Sequence, residues 1–180
     1  MANILLGVTG SIAAYKACEL TRLFVKDGHA VHVIMTQAAT RFVAPLTFRT
    51  LSRNPVSVDM FDEPDEWIPG HISSAERGDV LVIAPCSANV IGKLAHGLAD
   101  DMLTSTALAT KAALVIAPAM NTGMWEHAAT QANIVTLAAR GATFVDAGTG
   151  DLACGTSGKG RMAEPKEIFE AVVRILAAKK

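Results

Sequence analysis

The chain has 180 residues, a net charge of −1 and no block of lysine or arginine, so it lacks the electrostatic footprint of a protein that binds duplex nucleic acid. Hydrophobic residues make up 51% and aromatics only 5%, so the apolar content is mostly Ala, Val, Ile and Leu, which suits buried strands and close-packed helices better than a β-sandwich. No apolar run approaches the ~18 residues of a membrane span, and no cationic segment precedes an apolar stretch as in a signal peptide. Three widely spaced cysteines suit neither a disulfide framework nor a zinc site. A reducing cytoplasm is the expected setting, with no membrane, nucleic acid or metal involved.

This length fits one domain, 1–180, able to bury about 70% of its unfolded surface. Residues 4–8 form an apolar run broken only by Gly7, as expected of a strand buried on both faces. A helical pattern over 12–26 follows, stopped near Gly28, and then a second strand over 31–35, interrupted by His32. Residues 59–70, acidic with two prolines, read as an irregular loop. Strands over 80–84 and 112–117 enclose helices over 88–96 and 102–110. A helix over 125–140 stops near Gly141, a short strand occupies 143–145, residues 146–164 read as a glycine-rich loop, and a helix over 165–178 closes the chain. Strand–helix alternation predicts an α/β fold: a three-layer, Rossmann-like (flavodoxin-like), doubly wound parallel sheet of about five strands. Such sheets bind ligands beyond the carboxyl ends of their strands, so site residues should directly follow the strands.

After the first strand comes Gly7-Val8-Thr9-Gly10-Ser11, then a helix. Glycine permits a tight turn and close approach to a ligand, and the amides of the first helical turn favour a phosphate. The pattern is not G-x-G-x-x-G, and the second strand ends in Met35-Thr36 with no acid for a ribose hydroxyl, which favours a mononucleotide such as FMN over a dinucleotide. Taken alone, the segment is also compatible with a capped glycine turn. Ser87 and Asn89 follow the third predicted strand, where they would either contact a ligand or simply cap a helix. After the next strand, Asn121 could grip a carboxylate or a flavin carbonyl, whereas Met124 and Trp125 are the types found in cores and interfaces. His71 follows a Pro69-Gly70 turn, a position compatible with acid–base chemistry or an ordinary surface role. Residues 153–162 combine three glycines with Cys154, an acid or nucleophile, and Arg161, a cation suited to a phosphate or carboxylate. That is the composition of a flexible lid over an anionic substrate, or of a surface loop. Cys18 and Cys86 read as packing residues.

Together these segments resemble the homo-oligomeric flavin-containing cysteine decarboxylases, most closely the phosphopantothenoylcysteine decarboxylases of coenzyme A biosynthesis. Residues 7–16 (GVTGSIAAYK) are similar to the family's FMN-phosphate turn, and 85–90 to its P-A-S-A-N-T motif, with Cys86 for Ala and Val90 for Thr. Residues 118–125 match P-x-M-N-x-x-M-W, and 153–162 the A-C-G-x-x-G-x-G-R-M substrate clamp. The resemblance implies an FMN site made by Gly10, Ser11, Ile12, Thr36, Phe48, Ser87, Ala88, Asn89 and Ala119. It implies a site for a phosphorylated, cysteine-containing small molecule made by Asn121, Met124, Ala153, Cys154, Gly155, Arg161 and Met162. His71 would be the acid/base, Asn121 would hold the carboxylate, and Cys154 would donate a proton. The reaction implied is oxidation of the substrate to a thioaldehyde, loss of CO₂ and re-reduction of the enethiol to 4′-phosphopantetheine. Assembly into trimers or dodecamers, with the site between subunits, is also implied. A peptidyl-cysteine decarboxylase, a flavin prenyltransferase and a non-catalytic flavin-binding regulatory subunit are the alternatives. The first would lack the clamp, the second would leave His71 and Cys154 idle, and the third would lose a catalytic residue or carry an acidic extension.

Overall fold

The computed structural model describes residues 1–61, 68–151, 155 and 157–178. Strand β1 (Asn3–Val8) leads through a turn into α1 (Ala14–Lys26), which has no acidic residue in its first turn and Lys26 in its last. That helix starts two residues later than expected because residues 11–13 are spent in the turn itself. Strand β2 (Ala30–Met35) is followed by a 3-10 turn, Ala39–Arg41, and α2 (Pro45–Ser52). Proline at its start and a left-handed Arg53 (φ 60) at its end bound α2. Strand β3 (Val56–Ser57) and α3 (Gly70–Arg77) complete the crossover to β4 (Val80–Cys86).

In the second half come α4 (Ala88–His96), α5 (Met102–Ala109), β5 (Ala113–Pro118), α6 (Thr122–Glu126), α7 (Ala128–Ala139) and β6 (Thr143–Phe144). The helix expected over 125–140 is therefore two helices. His127 sits between them in an extended conformation and accepts from the Ala129 amide at 3.2 Å to cap the second. The stretch 146–164, expected to be a loop, contains β7 (Gly148–Asp151) and β8 (Ser157–Arg161), an antiparallel pair, before α8 (Pro165–Ala178). Residues 62–67 of the expected 59–70 loop lie outside the described residues, and α3 begins at its last position.

The main sheet is parallel and six-stranded, in the order β3-β2-β1-β4-β5-β6. Without the two-residue edge strand β3, the remaining strands are the expected five in the flavodoxin order. The topological switch lies between β1 and β4, paired from Ile4↔Val80 to Gly7↔Ile83. Side-chain alternation sends Ile4, Leu6 and Val8 to the face covered by α1, α2 and α8, with Ala17, Leu20, Phe24, Phe48 and Ile168 buried there. Leu5, Leu81, Ile83 and Ile116 point the other way, against Ile91, Leu103 and Leu137 of α4, α5 and α7. Gly7 belongs to this second face: a Cβ on it would stand 2.6 Å from Leu103 Cδ1, so α5 rests directly on the strand. Among the described residues no helix is long and apolar enough to cross a membrane.

Candidate functional site

The ends of β1 and β4 are joined at Thr9, by its amide, which donates to the Pro85 carbonyl at 3.3 Å, and by its buried hydroxyl. Thr9 Oγ1 donates to the Pro85 carbonyl at 2.8 Å and accepts from the Ser87 amide at 2.9 Å, which fixes the spacing of the crevice at the switch point. Gly10 follows, and a Cβ there would stand 2.6 Å from the Ala38 Cβ, so the turn after β1 touches the turn after β2. Ser11 Oγ accepts from the Ala13 amide at 3.3 Å. With no acid in the first turn of α1, the positive end of its dipole is uncompensated by the helix itself. Across the crevice Ser87 caps α4 through the Val90 amide at 3.4 Å. Thr36 Oγ1 accepts from the Ala39 amide at 3.3 Å at the end of β2.

Beyond these strand ends lies a cavity of ≈ 1060 Å³. Of the residues expected to hold a cofactor, Gly10, Ser11, Ile12, Thr36, Ser87, Ala88, Asn89 and Ala119 line it. Phe48 does not: α2 turns its ring into the core, where it is fully buried. Of the residues expected to hold a substrate, Asn121, Met124, Arg161 and Met162 line the same cavity. Asn121 caps α6, its Oδ1 accepting from the Gly123 amide at 2.8 Å. The hairpin is stitched to the β5 edge where the Met120 amide donates to the Gly160 carbonyl at 2.9 Å. Gly160 has φ 132, and a Cβ on it would collide with the Met120 carbonyl oxygen, so no other residue fits without a shift. Gly155 is exposed, with φ 82, and stands outside the lining. Ala153 and Cys154 lie outside the described residues. His71, in the first turn of α3, is half-buried and does not line the cavity of its own chain.

The Cys86 side chain is fully buried among Val90, Ile91 and Leu103 and faces away from the cavity, and burial pushes its thiol up. Val90 does line the cavity. Cys18 is half-buried against the α1 core, as expected of a packing residue. Two charged residues that the sequence did not single out also line it. Lys93 Nζ bonds Asp100 Oδ1 at 2.6 Å and Asp101 Oδ2 at 3.1 Å, while Asp101 caps α5 through the Thr104 amide at 2.8 Å. The ammonium holds the Asp100 carboxyl below its usual range and is itself held charged. Lys93 stands four residues after Asn89 on α4, a spacing that puts both on one helix face. At the rim, Ile12, Tyr15, Phe42 and Met124 are 49–61% exposed, an apolar margin around a polar floor. Among the described residues no group of three or more His, Cys, Asp or Glu could hold a metal ion.

The Flavoprotein family model matches residues 1–177. The bifunctional coenzyme A biosynthesis protein CoaBC of Bacillus subtilis is 52% identical over 168 residues, covering 93% of this chain and 41% of that protein. The chain thus spans about two fifths of the length of the first bifunctional relatives it matches. A Streptococcus mutans protein named as a probable phosphopantothenoylcysteine decarboxylase is 43% identical over 172 residues, covering 94% of this chain and 96% of its own. Among solved structures, a cysteine-to-serine mutant of PPC decarboxylase complexed with pantothenoylaminoethenethiol superposes with a TM-score of 0.88 at 33% identity, covering 98% of each chain. The FMN-binding protein AtHal3 does so at 0.84 and 33%, covering 99% of this chain and 98% of its own. With its residues 1–177 matched and the sheet, switch-point crevice and hairpin in place, the chain belongs to the Flavoprotein family.

Proposed function

We propose that this chain is an FMN-dependent carboxy-lyase that converts 4′-phosphopantothenoylcysteine to 4′-phosphopantetheine in coenzyme A biosynthesis. The observation that carries the reading is the convergence of the Gly10–Ser11 turn, Asn121 and Arg161 on one cavity. The residues fit a flavin mononucleotide. The turn has no room for a side chain at Gly10, α1 opens without an acid, and β2 ends in Met35 and Thr36 with no carboxylate for a second ribose. Gly10, Ser11 and Ile12 would hold the phosphate, with Ser87, Ala88, Asn89 and Ala119 along the ring system and Thr36 at the β2 edge. FMN bound there supplies reversible two-electron oxidation of the substrate's Cα–Cβ–SH unit.

The protein's own groups do the rest. The Asn121 carboxamide holds the substrate carboxylate next to Met124. Once the thiol carbon is a thioaldehyde, the electrons released with CO₂ pass to its sulfur, so the residues need only orient the carboxylate and exclude water. Cys154 donates the proton that accompanies reduction of the enethiol. His71 is the acid/base of the first half and, standing outside its own chain's cavity, would come from an adjacent subunit. The exposed apolar margin of Ile12, Tyr15, Phe42 and Met124 supports association into trimers, or dodecamers of trimers, with the site at the contact. The cytoplasm is the setting for such a reaction. The test is CO₂ release by the purified, flavin-loaded protein from 4′-phosphopantothenoylcysteine, set against a peptide ending in cysteine. Turnover of the peptide alone would overturn the substrate assignment, and no CO₂ from either would overturn the activity.

A further inference from the structure

Arg161 ends β8 at the cavity rim, tied to Glu164 and lying beside β7. Its Nη2 bonds Glu164 Oε1 at 2.8 Å. Its guanidinium lies along Gly150 of β7, where an added Cβ would stand 3.4 Å from Nη1 and 3.8 Å from Cδ. The same Glu164 oxygen also receives Lys16 Nζ at 2.8 Å, from α1. Lys16 is the fixed end of this chain of contacts: its side chain is only 9% exposed, whereas those of Glu164 and Arg161 are 51% and 46% exposed. The Glu164 backbone is itself fixed, its amide donating to Glu167 Oε2 at 2.8 Å at the start of α8.

The contacts therefore run from a buried lysine, through a carboxylate anchored at a helix start, to a half-exposed guanidinium over the cavity. We propose that Glu164 is a positioning residue for substrate recognition: held by Lys16, it aims Arg161 at the phosphate of the substrate. The inference rests on the proposed function, in which Asn121 already takes the carboxylate and leaves the phosphate as the anion for Arg161. A guanidinium preset in this way loses less side-chain freedom when it binds, so the tether acts on affinity and not on the chemical step.

The experiment is a double-mutant cycle on the flavin-loaded enzyme with Glu164→Ala, Arg161→Ala and the pair, and with Glu164→Gln as the conservative variant. Glu164→Ala should raise KM for 4′-phosphopantothenoylcysteine about three- to fivefold, the range of a partly exposed ion pair, with kcat unchanged. It should leave KM for dephosphorylated pantothenoylcysteine unchanged and add nothing in the Arg161→Ala background. Glu164→Gln, which keeps an acceptor for one cation, should fall between. Independently of activity, phenylglyoxal should modify Arg161 faster in Glu164→Gln than in the wild type, read by peptide mass spectrometry. Equal labelling rates, full additivity, or the same KM change on both substrates would overturn the tether. An inactive wild type with Arg161 still protected would overturn the function and leave the tether standing.

Discussion

Thr9 is the sharpest test of how the crevice is built, because its hydroxyl bonds both Pro85 and Ser87 across it. Replacing Thr9 by Val keeps the shape and the burial, so no cavity opens. It removes the 2.8 Å bond to Pro85 and the 2.9 Å bond from Ser87. The two losses are unequal. The Pro85 carbonyl keeps the Thr9 amide at 3.3 Å, so that acceptor stays served. The Ser87 amide loses its acceptor at the floor of the crevice, and an unmet amide costs about 1–3 kcal/mol against about 1 kcal/mol for a bond lost with both partners satisfied. Thr9→Val should therefore destabilise the protein by about 2–4 kcal/mol. Thr9→Ser keeps both bonds and gives up one methyl group, a loss of about 1 kcal/mol. Urea denaturation at matched protein concentration gives both values, and matched concentration matters because subunit association would otherwise shift the midpoint. If Thr9→Ser costs as much as Thr9→Val, the hydroxyl is not what spaces the strand ends, and packing of the methyl is.

Gly10→Ala would place its Cβ against that of Ala38, 2.6 Å away, so the two turns must part; weaker FMN retention on gel filtration is expected, and a wild-type flavin spectrum after it would remove Gly10 from the cradle. Cys154→Ser should still release CO₂ but accumulate the enethiol, and normal yields of 4′-phosphopantetheine would exclude it as the proton donor. His71→Asn should keep FMN and lose CO₂ release; refolding it together with Cys154→Ser should restore activity, since mixed assemblies then contain sites with both groups intact, and no recovery would put His71 to work within its own chain. Lys16, more than Arg161, holds the Glu164 carboxyl below its usual value. Its contribution to stability is thus complete above the ordinary glutamate range of about 4.3 and disappears as pH falls through the lowered folded value. Glu164→Gln should lack this acid-side loss, so urea midpoints of the two proteins, separated at pH 7, should converge as pH falls below the ordinary glutamate range; a constant separation across that range would show that the carboxylate charge is not involved.

What the sequence disclosed follows from how strongly burial constrains composition. Strands β1, β4 and β5 are covered on both faces, so their apolar runs are continuous and their positions legible to within a residue or two. Strand β3 spans two residues at the sheet edge, and its Val56 and Ser57 are only half-buried, so no pattern announces it. The β7–β8 pair is hidden for a different reason. Its glycines serve close contacts, Gly158 against the Thr122 side chain and Gly160 against the Met120 carbonyl, and a strand built for backbone approach carries no alternation of side chains. The same division runs through the site. Cavity-lining residues that leave space or offer a short polar group at a strand end, Gly10, Ser87 and Asn121, are visible because their type and place together are unusual. Phe48 shows the limit of a resemblance, which carries a position into this chain but not the direction its ring takes on α2. Lys93, Asp101 and Glu164 meet partners three to nearly 150 positions away along the chain, so their contacts exist only once the helices are packed. Charged residues tied to one another at a cavity rim are, in sequence, indistinguishable from a solvated surface, and it is there that a structure adds most to the reading of function.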